Sequence, residues 1–118
     1  MIYLASPYSH PDPNVREQRF EAVCRVASEL LRAGQHVFSP IAHSHPIANY
    51  GLPTDWSFWE SFCREQIMRC DELVVLMLDG WKLSVGVRAE IQIAEELVKQ
   101  IHYYDPMMQA TLMEDLTD

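Results

Sequence analysis

Apolar residues along the chain fall into short runs separated by longer stretches with helical spacing. Met1 to Ala5 is an apolar run stopped by Ser6-Pro7, which predicts a buried strand. From Asn14, with Glu17 three residues on as a box-like capping partner, Phe20, Val23, Cys24, Ala27, Leu30 and Leu31 recur at steps of three and four. That spacing predicts a helix with one apolar face, closed by Gly34. His36 to Pro40 reads as a second short strand. Ile41 to Thr54 has no evident period and is expected to be a long functional loop. Ser57 and Glu60 match a capping box for a helix running to about Cys70, and Glu72 to Leu78 is the clearest strand, apolar on both faces. Asp79-Gly80-Trp81 turns the chain into a helix beginning at Ser84, with Val87, Ile91, Ala94 and Val98 on its stripe. Ile101 to Tyr104 is a last strand ended by Pro106.

Strands alternating with helices through short turns imply a parallel sheet covered on both sides, an α/β doubly wound fold. Ligands of such sheets sit beyond the carboxyl ends of the strands. The expected site therefore draws on Ala5–His10, Pro40–His45 and Asp79–Gly86.

Composition narrows the classes. The 118 residues suit one domain, and residues 107–118, with Glu114, Asp115 and Asp118, read as an acidic, partly flexible tail. Nine basic against seventeen acidic residues give a charge of −8, which disfavours binding to polymeric nucleic acid. The longest apolar run is too short for a bilayer and no signal peptide is visible, so no membrane association is expected. Cys24, Cys63 and Cys70 read as reduced thiols of a cytoplasmic protein. His43 and His45 with Cys63 or Cys70 match no standard zinc spacing, so neither metal nor cofactor is expected. Substrate contact, or packing beneath Trp56 and Trp59, suits these histidines better.

Glu90 lies in the second turn of a helix that directly follows the central strand. Acids are common at helix N-termini, and that is one reading. The other is a nucleophile or general base held at the mouth of the sheet. Ser84-Val85-Gly86 just before it offers a hydroxyl, free backbone N–H groups and a glycine, an arrangement that suits a phosphate or carboxylate. Tyr3, Ser6, Tyr8 and Ser9 supply hydroxyls at the end of the first strand. Arg19 could reach the same edge or simply be a solvated surface arginine.

The ordered series Tyr3-Leu4-Ala5-Ser6-Pro7-Tyr8, Val37-Phe38-Ser39-Pro40 with His43-Ser44-His45-Pro46, Pro53-Thr54-Asp55-Trp56, Cys70 to Leu76, Asp79-Gly80-Trp81 and Ser84 to Glu90 resembles the nucleoside 2-deoxyribosyltransferase superfamily. The likeness runs to about Tyr104 and is greatest to a branch of short, uncharacterised bacterial and phage proteins. It implies a small flavodoxin-like three-layer fold and cleavage of the N-glycosidic bond of a nucleoside or nucleotide. Glu90 matches the nucleophile, with Tyr3 positioning it. Where nucleoside transferases carry an aspartate, this chain has Ser84, as do relatives acting on nucleoside 5′-monophosphates. Ser6, Arg19 and Ser84 would then hold a phosphate, Asp79 or the histidine loop with His43 and His45 would contact sugar or base, and Tyr8 and Gly86 would also bind substrate. The resemblance also implies a homodimer or higher homo-oligomer. The chain departs from the pattern at Cys63, where relatives place an aspartate. Three functions follow: a nucleotide N-glycosidase, a base-exchanging transferase and a non-catalytic nucleotide-binding module.

Overall fold

The computed structural model describes residues 1–106; the expected acidic tail at 107–118 lies outside the described residues. The elements are β1 (Ile2–Ala5), α1 (Pro13–Arg32), β2 (Val37–Phe38), α2 (Pro40–Ala48), α3 (Trp56–Arg69), β3 (Glu72–Leu76), a 3₁₀ turn (Trp81–Leu83), α4 (Val85–Glu96) and β4 (Gln100–Tyr104). The four strands form one all-parallel sheet in the order β2-β1-β3-β4.

Alternation along the strands builds the two cores. Ile2 and Leu4 of β1, with Val74 and Leu76 of β3, face Val23, Val26 and Leu30 of α1. Tyr3 and Ala5, with Leu73 and Val75, face the other way onto Cys63 and Ile67 of α3 and Val87, Ile93 and Ala94 of α4. In register, Tyr3 pairs with Leu73 and Phe38 on either side. The result is a three-layer, doubly wound α/β domain of the small flavodoxin-like kind, as expected from the strand–helix alternation.

The helix boundaries depart from expectation in informative ways. The cap of α1 is Asp12, whose carboxylate accepts the Asn14 N–H at 2.9 Å, with Pro13 at the first helical position. Proline has its φ preset for that position and lacks the N–H that would otherwise go unsatisfied, so the Asp-Pro pair prevails over Asn14 and Glu17. Cys70 ends α3, but its start is Asp55 with no side-chain cap, and Ser57 donates to the Asp55 carboxylate rather than forming a box with Glu60. Val98 is not on the α4 stripe. It lies past the helix end in the left-handed region (φ 57°) and is exposed. Gly34 takes the expected left-handed conformation after α1 (φ 91°).

The largest difference is α2, which occupies much of the segment expected to be a loop. Ser39 caps it, its hydroxyl accepting the Ala42 N–H at 3.0 Å, and Pro40 occupies the first turn. Pro46 inside the helix and the lack of a strong apolar stripe hid the element. Ile41 still packs on the α1 side of the sheet. Because Ser39 is buried and its cap organises a wall of the site, Ser39→Ala is expected to lower stability by about 1 kcal/mol, read from urea unfolding.

Candidate active site

A cleft of about 570 Å³ opens at the carboxyl ends of β1 and β3. From β1 the chain leaves through α1 toward β2, and from β3 through α4 toward β4, so the two connections diverge and leave a crevice between them. The loop after β1 contributes Ser6, Tyr8 and Ser9. One face of α2 contributes Ile41, Ser44, His45 and Ala48, α3 contributes Trp56, Trp59 and Cys63, and the start of α4 contributes Ser84, Val85, Gly86 and Glu90.

Glu90 is the buried charge-bearing group of this cleft, 4% exposed. Helical spacing carries it onto the inward face of α4 alongside Val87 and Ala94. There the Tyr3 hydroxyl, brought over the same face by β1, donates to Glu90 Oε2. Burial pushes the carboxyl up to about 8, and the phenol's hydrogen bond pulls back only part of that shift. Burial, with Glu90 nearby, also holds the Tyr3 phenol well above its ordinary value. The Cys63 thiol is pushed up to about 12, first by burial and then by Glu90, with Tyr3 opposing. The floor of the cleft is thus a neutral trio near pH 7.

The mouth is built for an acceptor-rich guest. Ser84 caps α4, its Oγ accepting the Val87 N–H at 3.2 Å, so the amides of Val85 and Gly86 begin the helix on the cleft wall. A Cβ on Gly86 would stand 3.6 Å from the Trp56 ring, which is ordinary contact. Ser6, from the loop after β1, also lines the cleft, and its Oγ is buried with no hydrogen-bond partner. An orphan hydroxyl there is available to a ligand.

Of the residues singled out from the sequence, Ser6, Tyr8, His45, Ser84, Gly86 and Glu90 line the cleft, and Tyr3 sits behind Glu90. The other three lie elsewhere. Arg19 donates to the carbonyls of Tyr8 (3.3 Å), Ser9 (3.0 Å) and Asp79 (3.3 Å), so its guanidinium ties two loops together rather than facing the cleft. Gly80 (φ 88°) makes room for it, since a Cβ there would stand 2.9 Å from Arg19 Nη2. Asp79 is exposed and contributes its carbonyl to that clamp. His43 stacks on Phe62, ring centroids 5.3 Å apart, outside the lining.

Trp56 and Trp59 pack against the α3–α4 core and line the cleft as well, and Trp59 Nε1 donates to the Pro53 carbonyl at 2.8 Å. Ser9 and Ser44 line the cleft from within the expected segments Ala5–His10 and Pro40–His45, whereas Asp55 and Ser57 were not anticipated. The spacing of Ile41, Ser44, His45 and Ala48, at steps of three, four and seven, was the available signal for that face. Among the described residues no group of three or more His, Cys, Asp or Glu side chains could hold a metal ion, and no helix is long and apolar enough to cross a membrane.

The fold and the cleft define an open α/β domain with a buried carboxyl at its switch point. The chain belongs to the family described as Domain of unknown function (DUF1937), whose sequence profile matches residues 1–106. A comparison with curated proteins found no match.

Two consequences are measurable. Glu90 keeps in the folded state a proton that the unfolded chain releases near 4.5, so stability is expected to fall as pH rises from about 4.5 to about 8. This group's share of the slope is at most about 1.4 kcal/mol per pH unit, and Glu90→Gln should remove it in urea melts across that range. Arg19→Met should lower stability by about 1–3 kcal/mol through loss of the charged clamp.

Proposed function

We propose that the protein is an N-glycosidase that hydrolyses a nucleoside or deoxynucleoside 5′-monophosphate, with Glu90 as nucleophile. The observation that carries this reading is the Glu90 carboxyl, buried at the strand ends on the wall of the cleft, with one oxygen held by Tyr3. Its resemblance to the nucleoside 2-deoxyribosyltransferases adds the reaction class.

In this mechanism the ionised Glu90 attacks C1′ as the bond to the base nitrogen breaks. The electron pair leaves with the base, and an oxocarbenium-like state collapses to a glycosyl-enzyme that water then hydrolyses. Holding one oxygen on Tyr3 directs the other at the anomeric carbon. A carboxyl raised to about 8 ionises more readily as positive charge develops beside it, so the dry site favours the transition state over the resting enzyme.

The start of α4 and the orphan Ser6 hydroxyl are suited to the phosphate. Arg19, committed to three carbonyls, has no part in that subsite, so amides, hydroxyls and the helix dipole carry it. Trp56 and Trp59 offer flat apolar faces to the base. The same reading makes the protein a cytoplasmic homodimer or higher homo-oligomer, with exposed Leu83 and Val85 at the cleft mouth as apolar contact surface.

Cys63 supports a second reading. A neutral thiol stands beside Glu90 where the resembled enzymes carry an aspartate, which suits a nucleotide-binding module without turnover. Incubation with a panel of ribo- and deoxyribonucleoside monophosphates, followed by chromatography, should release free base at a rate that rises with pH toward about 8. Glu90→Ala should reduce it by on the order of a thousandfold or more. A thermal shift without base release, together with turnover gained by Cys63→Asp, would establish the binding module instead. Base exchange in the presence of an added free base would identify a transferase.

A further inference from the structure

We propose that Tyr8, His45 and Glu17 form a proton relay, in which Tyr8 protonates the departing base and later takes a proton from the attacking water. This rests on the N-glycosidase reading and deepens it.

The relay is a continuous chain of hydrogen bonds running from the cleft to solvent. Tyr8 lines the cleft, and its Oη lies 2.6 Å from His45 Nδ1. His45 Nε2 lies 2.7 Å from Glu17 Oε2. The His45 side chain is only 12% exposed, whereas that of Glu17 is 54% exposed, so the far end of the chain meets water. Phe20 stacks on the imidazole at 4.3 Å and 24°, which fixes the plane of the ring.

The partners determine the direction of transfer. An ionised carboxylate only accepts, so His45 Nε2 carries a hydrogen in either charge state. Nδ1 is then the atom that changes. It accepts the Tyr8 O–H when the ring is neutral and donates to Tyr8 Oη when the ring is charged. Glu17 fixes the tautomer and the orientation of the ring, as a carboxylate does in a catalytic triad. Burial and then Glu17 push the Tyr8 phenol up while Arg16 opposes them, and the net shift keeps the phenol protonated.

The protons balance. As the bond from C1′ to the base breaks and the electron pair goes to the base, Tyr8 gives its proton to the base and regains one from His45 Nδ1. The Glu90 carboxylate is consumed in the new C1′–O bond. When water attacks C1′, that bond breaks and frees the carboxylate. The water proton passes through Tyr8 back to His45 Nδ1. Tyr8 is the catalytic residue, because it touches the base and the water. His45 and Glu17 act through it.

The test measures single-turnover release on two kinds of substrate. One is the panel of nucleoside and deoxynucleoside monophosphates. The other is the 4-nitrophenyl ribofuranoside and 2-deoxyribofuranoside 5-phosphates, whose leaving phenolate needs no proton. Tyr8→Phe and His45→Gln, the latter keeping hydrogen-bonding partners but unable to take up a proton, should slow base release by about 10²–10⁴-fold. Both should release nitrophenolate within about tenfold of the parent rate, and Glu90→Ala should abolish both reactions.

Equal losses on both substrates would reduce the trio to a structural prop and overturn the relay, as would unchanged base release. In either case a dead Glu90→Ala leaves the N-glycosidase reading standing. If the parent protein cleaves neither kind of substrate, that reading falls and the relay falls with it.

Discussion

The hydrogen bond from Tyr3 to Glu90 is the interaction around which this domain is arranged. A carboxyl buried as deeply as that of Glu90 would be costly without a donor, and the sheet supplies one from β1. The arrangement explains why β1, otherwise aliphatic, carries a tyrosine at its second position. The connection from β3 through the 3₁₀ turn Trp81–Leu83 delivers α4 with Glu90 on its inward face. Fold and candidate chemistry thus share the same few residues, and the core of the α3–α4 layer ends in the cleft.

Much of the fold was legible because its strands and two of its long helices have strong periods. Leu73 to Leu76 could only be a doubly buried strand, and Val87, Ala94 and Glu90 sit on one side of any helix drawn through them. The segment from Pro40 to Ala48 was not legible. Its inward residues include Ser44 and His45, so hydrophobic counting passes over it, and Pro46 argues against a helix although the Ser39 cap and Pro40 allow one. Glu90, Ser84, Ser6 and Tyr8 could be assigned from their positions at strand and helix ends. The role of Arg19 could not, because three carbonyls from two separate loops become its partners only after the chain has folded.

The electrostatics of the cleft contrast with the acidic chain that encloses it. The chain carries a formal charge of −8, yet the inner groups of the cleft are neutral near pH 7. Such a site gives little purchase to bulk anions and responds mainly to charge created inside it. The partial positive end of α4 and the buried Glu90 carboxyl, about one and a half turns along the same helix, both line the cleft, so a guest with an anionic end and a centre able to become cationic meets complementary fields at both.

The pairing of Tyr3 with Leu73 and Phe38 has one further consequence. Side chains alternate faces along β1, so a single residue inserted into or removed from that short strand would swing the tyrosine to the α1 side. An aliphatic residue would then stand before Glu90. The sheet could still close around such a change, because both faces of β1 are apolar, but the buried carboxyl would lose its donor. The length of β1 is therefore held by the site more strictly than by the packing.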